Sequence, residues 1–267
     1  MLRTRARSAL AIGPLVGVAV WAGGWGFFAL MVLVAGVAGY EFTRMMRAGG
    51  HRTSLSFVLA IVVLFFLDAA FPGYNVARYG LVWILVLSIS WQIVRYQQGT
   101  PTVDWALTMS GGLYVGWLLS HFVALRALPD GLAWTALAVL ATWASDSGAY
   151  LVGRAIGRHK LCPLLSAGKT WEGIAGGLLG GLLAGGAVGA LAMFWWGAIG
   201  VAQGLAVGLL VSVAAPFGDL AISMMKREVG VKDSGTLIPG HGGMLDRTDS
   251  LMFGALVTYC FAVWAVR

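Results

Sequence analysis

The chain has 267 residues, 59% of them hydrophobic and only 11% charged, with a formal net charge of +7. Soluble domains carry about a quarter of their residues as charges, so a soluble fold is excluded. The basic excess is accounted for by loops that face anionic lipid, and no nucleic-acid partner is expected.

A membrane span needs about 20 mostly apolar residues. Nine candidates occur, over 8–22, 25–43, 54–71, 79–94, 104–122, 132–153, 173–195, 198–222 and 249–266. The expected fold is all-α: a polytopic membrane protein of about nine transmembrane helices, grouped as 1–78, 79–153 and 154–267. The 39 glycines and 12 tryptophans suit closely packed membrane helices and interfacial belts. Cys162 and Cys260 give neither a disulfide framework nor a metal spacing.

Ala22-Gly23-Gly24 separates the first two spans, and Trp195-Trp196-Gly197 must turn the uncharged run 173–218, which is too long for one helix. The opening MLRTRARSAL is read as an uncleaved first span, since no small-x-small cleavage site precedes the second apolar segment. With the N-terminus inside, the arm and the loops 44–53, 95–103, 154–172 and 223–248 hold fifteen Lys and Arg, and the opposite face holds three. That bias places these loops in the cytoplasm. In the seventh span Gly173, Gly177, Gly181, Gly185 and Gly189 recur every four residues. The stripe invites close approach of another backbone and permits a homodimer without requiring one.

Chemistry concentrates between Asp219 and Asp249, which holds nine of the charged residues, flanked by runs with none. Bare charge and irregular backbone are not tolerated in lipid, so this stretch must meet water and is the default functional site. Asp219, Ser223, Lys226 and Arg227 fall on one face of a continuing helix, and Pro216 is expected to kink it just before Asp219. The loop follows with Lys232-Asp233-Ser234-Gly235 and Pro239-Gly240-His241-Gly242-Gly243, whose glycines allow main-chain N–H groups to approach a phosphate. Asp246, Arg247 and Asp249 open the ninth span, where the helix dipole helps hold anions. Asp219 and Asp246, from different helices, are a candidate pair for Mg²⁺, which prefers one or two carboxylates plus phosphate oxygens.

A second cluster surrounds the sixth span. Asp146, Tyr150 and Arg154 share a face there, and the next loop reads Ser166-Ala167-Gly168-Lys169-Thr170-Trp171-Glu172-Gly173. A P-loop reading of Gly168-Lys169-Thr170 fails, because Pro163 stands where that motif needs glycine. Lys169 and Glu172 are spaced as a surface ion pair, or as part of a site shared with the 219–249 loop.

Taken together, Ser223-Met-Met-Lys-Arg227, Lys232-Asp233, Ile238-Pro-Gly-His-Gly-Gly243 and Asp246-Arg247-x-Asp249 resemble the signature of the phosphatidate cytidylyltransferases. Tyr40-Glu41-Phe42, Asp146 with Ala149-Tyr150, and Lys169-Thr-Trp-Glu-Gly173 extend the resemblance, which is thinnest over 54–130. The loop at Ser166 departs from the family's Ser-Pro-Lys-Lys-Thr and has one cation fewer. The resemblance implies CTP and phosphatidate as substrates, CDP-diacylglycerol and pyrophosphate as products, Mg²⁺ with room for a second cation, and a bacterial inner membrane. It also implies roles. Asp219 and Asp246 would hold the metal, while Lys226, Arg227, Lys232, Asp233, His241, Arg247 and Asp249 would serve the chemistry. Asp146, Ser166, Lys169, Thr170, Glu172 and Ser223 would bind substrate. A CTP-dependent lipid kinase of the polyprenol type is the rival enzyme. A transporter is the rival class, and it would need inverted repeats that this chain lacks.

Overall fold

The structure is a computed structural model that describes residues 13–14, 16–197, 199–235 and 242–265. Pro239, Gly240 and His241 lie outside the described residues, as does the start of the expected first span. The chain is almost wholly helical and divides into two compact units, one of 1–124 with 225–248, the other of 125–224 with 249–267.

The described residues of the first unit begin helical, at 13–14 and 16–22. Gly23, at φ +62°, ends them and opens α1 (Gly24–Ala48) where the paired glycines are expected to break the chain. There follow α2 (Leu55–Ala70), α3 (Val76–Val94) and α4 (Pro101–Gly112), then one π-helical turn at Leu113–Trp117 leading into α5 (Leu118–Ala127). Pro101 occupies the first turn of α4, where its missing N–H costs nothing. Asp104 reaches back to accept from the Thr100 N–H at 3.2 Å, satisfying a donor the helix leaves open. Phe42, Ile61, Phe66 and Leu119 are fully buried in this unit. A Cβ at Gly111 would strike the Phe42 ring, and one at Gly116 would lie 2.7 Å from the Val62 backbone, so these two positions set how closely the helices approach. α3 differs: Ser88 is its single buried residue.

The second unit holds α6 (Gly131–Ile156), α7 (Trp171–Trp196), and most of α8 (Val201–Glu228) and α9 (Leu245–Ala265). Between α6 and α7 the expected loop is a short antiparallel hairpin, β1 (Lys160–Cys162) with β2 (Ser166–Thr170), joined at Lys160↔Thr170 and Cys162↔Ser166. Thr170 caps α7 by accepting from the Gly173 N–H at 3.1 Å. Gly197, at φ +65°, closes α7 with its N–H on the Ala192 and Met193 carbonyls, at the turn expected from the sequence.

The glycine stripe of α7 is spent inside the unit. A Cβ at Gly177 would press on the Ser145 carbonyl of α6, and at Gly181 on the Ser212 hydroxyl of α8. Gly185 faces Gly204 of α8, each blocking a Cβ on the other. The Ser212 hydroxyl donates to the Gly208 and Gly177 carbonyls, at 2.7 and 3.2 Å, and so closes the α7–α8 contact with a polar bridge. α8 runs as a single helix through Pro216 to Glu228, the continuing helix expected past Asp219.

Among the described residues, five helices (α1, α3, α7, α8 and α9) are long and apolar enough to cross a membrane, and α2 is a shorter apolar helix of 16 residues. The chain is a helical protein of multi-pass membrane composition.

Candidate active site

Each unit contains its own charged cluster. In the first, Lys226 Nζ at the end of α8 lies 2.6 Å from Asp246 Oδ1 at the start of α9, with side chains only 12% and 8% exposed. Asp246 Oδ2 accepts from the Ser234 N–H and hydroxyl, both at 2.9 Å, and from the Gly243 N–H at 3.2 Å. A Cβ at Gly242 would sit 3.0 Å from Asp246 Oδ2 and 3.8 Å from Asp233 Oδ1, so the two carboxylates flank this glycine. Its φ of +79° also requires a residue without a side chain. Arg227, Lys232, Asp233 and Arg247 are exposed around the pair.

Glu41 was not singled out as a site residue from the sequence, and the structure puts it beneath this loop. It is 3% exposed on α1, and its Oε2 accepts from the Leu245 N–H at 2.8 Å and the Ser234 hydroxyl at 3.2 Å. Its Oε1 has no hydrogen-bond partner among the described residues. A Cβ at Gly235 would meet Oε1 at 2.5 Å, and one at Gly243 would strike Oε2 and the Ser234 hydroxyl. Two glycines read from the sequence as room for a phosphate are therefore room for Glu41. The signal that identifies it is a lone carboxylate inside an apolar span, which is costly there without a use.

In the second unit, Lys169 Nζ at the end of β2 is 2.9 Å from Asp219 Oδ2 and donates to the Pro216 carbonyl at 3.0 Å. The Ser223 hydroxyl donates to Asp219 Oδ1 at 3.2 Å, on the helical face expected for it. Asp219 remains 40% exposed. Lys169 and Glu172 do not pair with each other: Glu172 Oε1 lies 2.6 Å from His159 Nδ1 and turns toward β1 instead. Ser166 pairs with Cys162 across the hairpin, and Thr170 is committed to capping α7. Asp146 is exposed on α6, where Arg154 donates to the Tyr150 hydroxyl at 3.2 Å one turn further on. Asp249 is buried, and its Oδ1 accepts from the Ser250 N–H at 2.7 Å. His241, the remaining candidate, falls outside the described residues.

Both clusters thus present a lysine on a carboxylate beside a serine hydroxyl, and the first adds the Gly243 N–H. Such an arrangement suits a polyanion: cations neutralise phosphate charge and carboxylates take hard cations. Sequence comparison agrees. The profile of the cytidylyltransferase family matches residues 3–264. The chain is 35% identical to the phosphatidate cytidylyltransferase of Synechocystis sp., over 90% of this chain and 89% of that one. It is 32% identical to the phosphatidate cytidylyltransferase of Brucella suis, over 97% and 93%. The enzyme of that name from Staphylococcus haemolyticus is 41% identical over 57% of this chain and 56% of its own. Matched over nearly its whole length, this chain belongs to the cytidylyltransferase family.

Proposed function

We propose that the chain is a phosphatidate cytidylyltransferase, transferring CMP from CTP to phosphatidate to give CDP-diacylglycerol and pyrophosphate. The observation that carries this reading is the Lys226–Asp246 pair under Ser234 and Gly243, set within the family signature. A phosphate oxygen of phosphatidate attacks the α-phosphorus of CTP. The bond from that phosphorus to the oxygen bridging to the β-phosphate breaks, and its electrons leave with pyrophosphate. The nucleophile is already an anion, so the chain's task is to bring two polyanions together in line. Lys226, Arg227, Lys232 and Arg247, with His241, act on the triphosphate and the departing pyrophosphate. Asp146, Ser166, Lys169, Thr170, Glu172 and Ser223 shape the wall toward the lipid phosphate, and Asp233 and Asp249 orient the loop and the start of α9.

The metal assigned to this reaction is Mg²⁺, with Asp219 and Asp246 as its carboxylates. The donor chemistry supports it: the residues supply oxygen ligands only, Asp233 and Asp246 flank one glycine, and Glu41 Oε1 is buried without a partner. No group of three or more His, Cys, Asp or Glu side chains could hold an ion by itself among the described residues. Bound there, Mg²⁺ would neutralise charge on the CTP phosphates.

Nine spans with the N-terminus and the 219–249 stretch on the cytoplasmic side of a bacterial inner membrane complete the proposal, supported by the excess of Lys and Arg in those loops. The test is to incubate the purified chain with labelled CTP, phosphatidate and Mg²⁺. Pyrophosphate and CDP-diacylglycerol are expected. Release of CDP with a phosphorylated lipid would identify a kinase and overturn the assignment.

A further inference from the structure

A cavity of about 570 Å³ opens in the first unit, and its wall includes no residue of either charged cluster. It is formed by the turn from α1 to α2 and by the end of α3. Arg47, Arg52, Arg95 and His51 line it, and no Asp or Glu does. The three guanidinium groups repel each other; the one carboxylate behind the wall, Asp104, lies 3.7 Å from His51 Nδ1 and offsets a single positive charge, so an anion relieves the remaining repulsion.

The cavity is held in shape by buried polar side chains. Asp104, 1% exposed on α4, accepts from the Arg52 N–H at 2.8 Å and from the Thr100 N–H at 3.2 Å. Thr108, one turn later and equally buried, accepts from the Ser54 N–H at 3.0 Å. Arg47 is fixed by donating Nε and Nη2 to the Thr53 carbonyl, at 3.1 and 2.8 Å, which leaves its other N–H group for a ligand. Arg95 lies over the Trp91 ring at 4.4 Å, and Arg52 makes only a long contact of 3.4 Å to Gln98. Two of the three guanidinium groups therefore stay available.

A lipid, rather than a free anion, is indicated by the helix that leads to the cavity. Trp83, Leu87 and Trp91 recur every fourth residue on α3 and all are exposed, forming an apolar strip that ends at Arg95. Acyl chains lying along that strip would deliver a head group to the arginines.

We propose that this cavity is a non-catalytic binding site for the phosphate-bearing head group of an acidic phospholipid. It goes beyond the cytidylyltransferase reading and needs only that α3 meets the bilayer.

The test uses the full chain in detergent, titrated with phosphatidylglycerol, an acidic lipid that is neither substrate nor product of the proposed reaction, and followed by native mass spectrometry. The Arg52→Ala/Arg95→Ala variant is expected to bind it at least about tenfold more weakly, as two basic contacts are lost. Phosphatidylcholine retention should not change, and Arg52→Lys/Arg95→Lys should keep most of the binding. Should the double alanine variant fail to fold, Arg95→Ala alone, whose guanidinium only rests on Trp91, is expected to weaken binding about fivefold, as one basic contact is lost. Equal binding by wild type and variant overturns the proposal, as does an equal loss in Arg78→Ala at the other end of α3. Displacement of the lipid by equimolar inorganic phosphate overturns the lipid assignment in favour of a free anion.

Discussion

Lys226 and Asp246 sit 2.6 Å apart with little exposure, so each has exchanged its hydration for the other's charge. Removing one partner strands the other, and that is worse than removing both. Lys226→Ala and Asp246→Ala should each destabilise the protein by about 3–5 kcal/mol, and the double variant by clearly less than their sum. Unfolding transitions in detergent measure this, and strict additivity would show that the pair is not coupled. Turnover of CTP should fall at least about a hundredfold in each single variant, the usual loss when a group stabilising transition-state charge is removed. Glu41 is a different case, since it holds the loop through the Leu245 N–H and the Ser234 hydroxyl. Glu41→Ala should cost about 1–3 kcal/mol by leaving a buried donor without an acceptor. Glu41→Gln, which keeps an acceptor oxygen, should retain most of the stability. Equal melting temperatures for the two variants would show that the hydrogen bonds do not matter. The sequence displayed Lys226 and Asp246 as signature residues. It did not display that they pair, because the 19 residues between them can close in many ways.

At the scale of elements, the contact of α7 with α8 depends on glycine at the crossing. Gly204 and Gly185 each occupy the space a Cβ on the other would need. Gly204→Val should lower stability by about 1–3 kcal/mol or more, because overpacking against backbone cannot be relieved by a rotamer change. Gly186→Ala meets only the end of Leu205, at 3.1 Å, and should be nearly neutral. Comparable losses in both would show that the backbone approach at Gly204 is not what decides stability. The four-residue spacing was legible in the sequence, but its partner was not, since a bare stripe fits any close helix. The β1–β2 hairpin was not legible either: Ser-Ala-Gly-Lys-Thr has one β-branched residue and no alternation of apolar and polar positions. Its consequence is functional, because β2 delivers Lys169 to Asp219 rather than to Glu172.

At the scale of the whole molecule, the proposed topology makes Cys162 a natural probe. It is a free, half-buried thiol in the hairpin, on the side assigned to the cytoplasm. In a chain with Cys260→Ser, a membrane-impermeant maleimide should label Cys162 in inverted vesicles and not in intact cells. Labelling from outside would reverse the topology and remove the site from its nucleotide. Chelation of divalent cations should abolish turnover, with recovery on adding Mg²⁺. Full activity in excess chelator would remove the metal from the proposal.

Composition and hydropathy by themselves determined a helical membrane chain and its breaks at Gly23-Gly24 and Gly197, because transfer of side chains into lipid depends on local sequence alone. The signature likewise marked where the charge collects. Only the tertiary structure decided which cation meets which carboxylate, that Glu41 underlies the signature loop, and that three arginines share one cavity. Those pairings join residues as far apart as Glu41 and Leu245, and close approach across such separations is set by packing rather than by any local pattern.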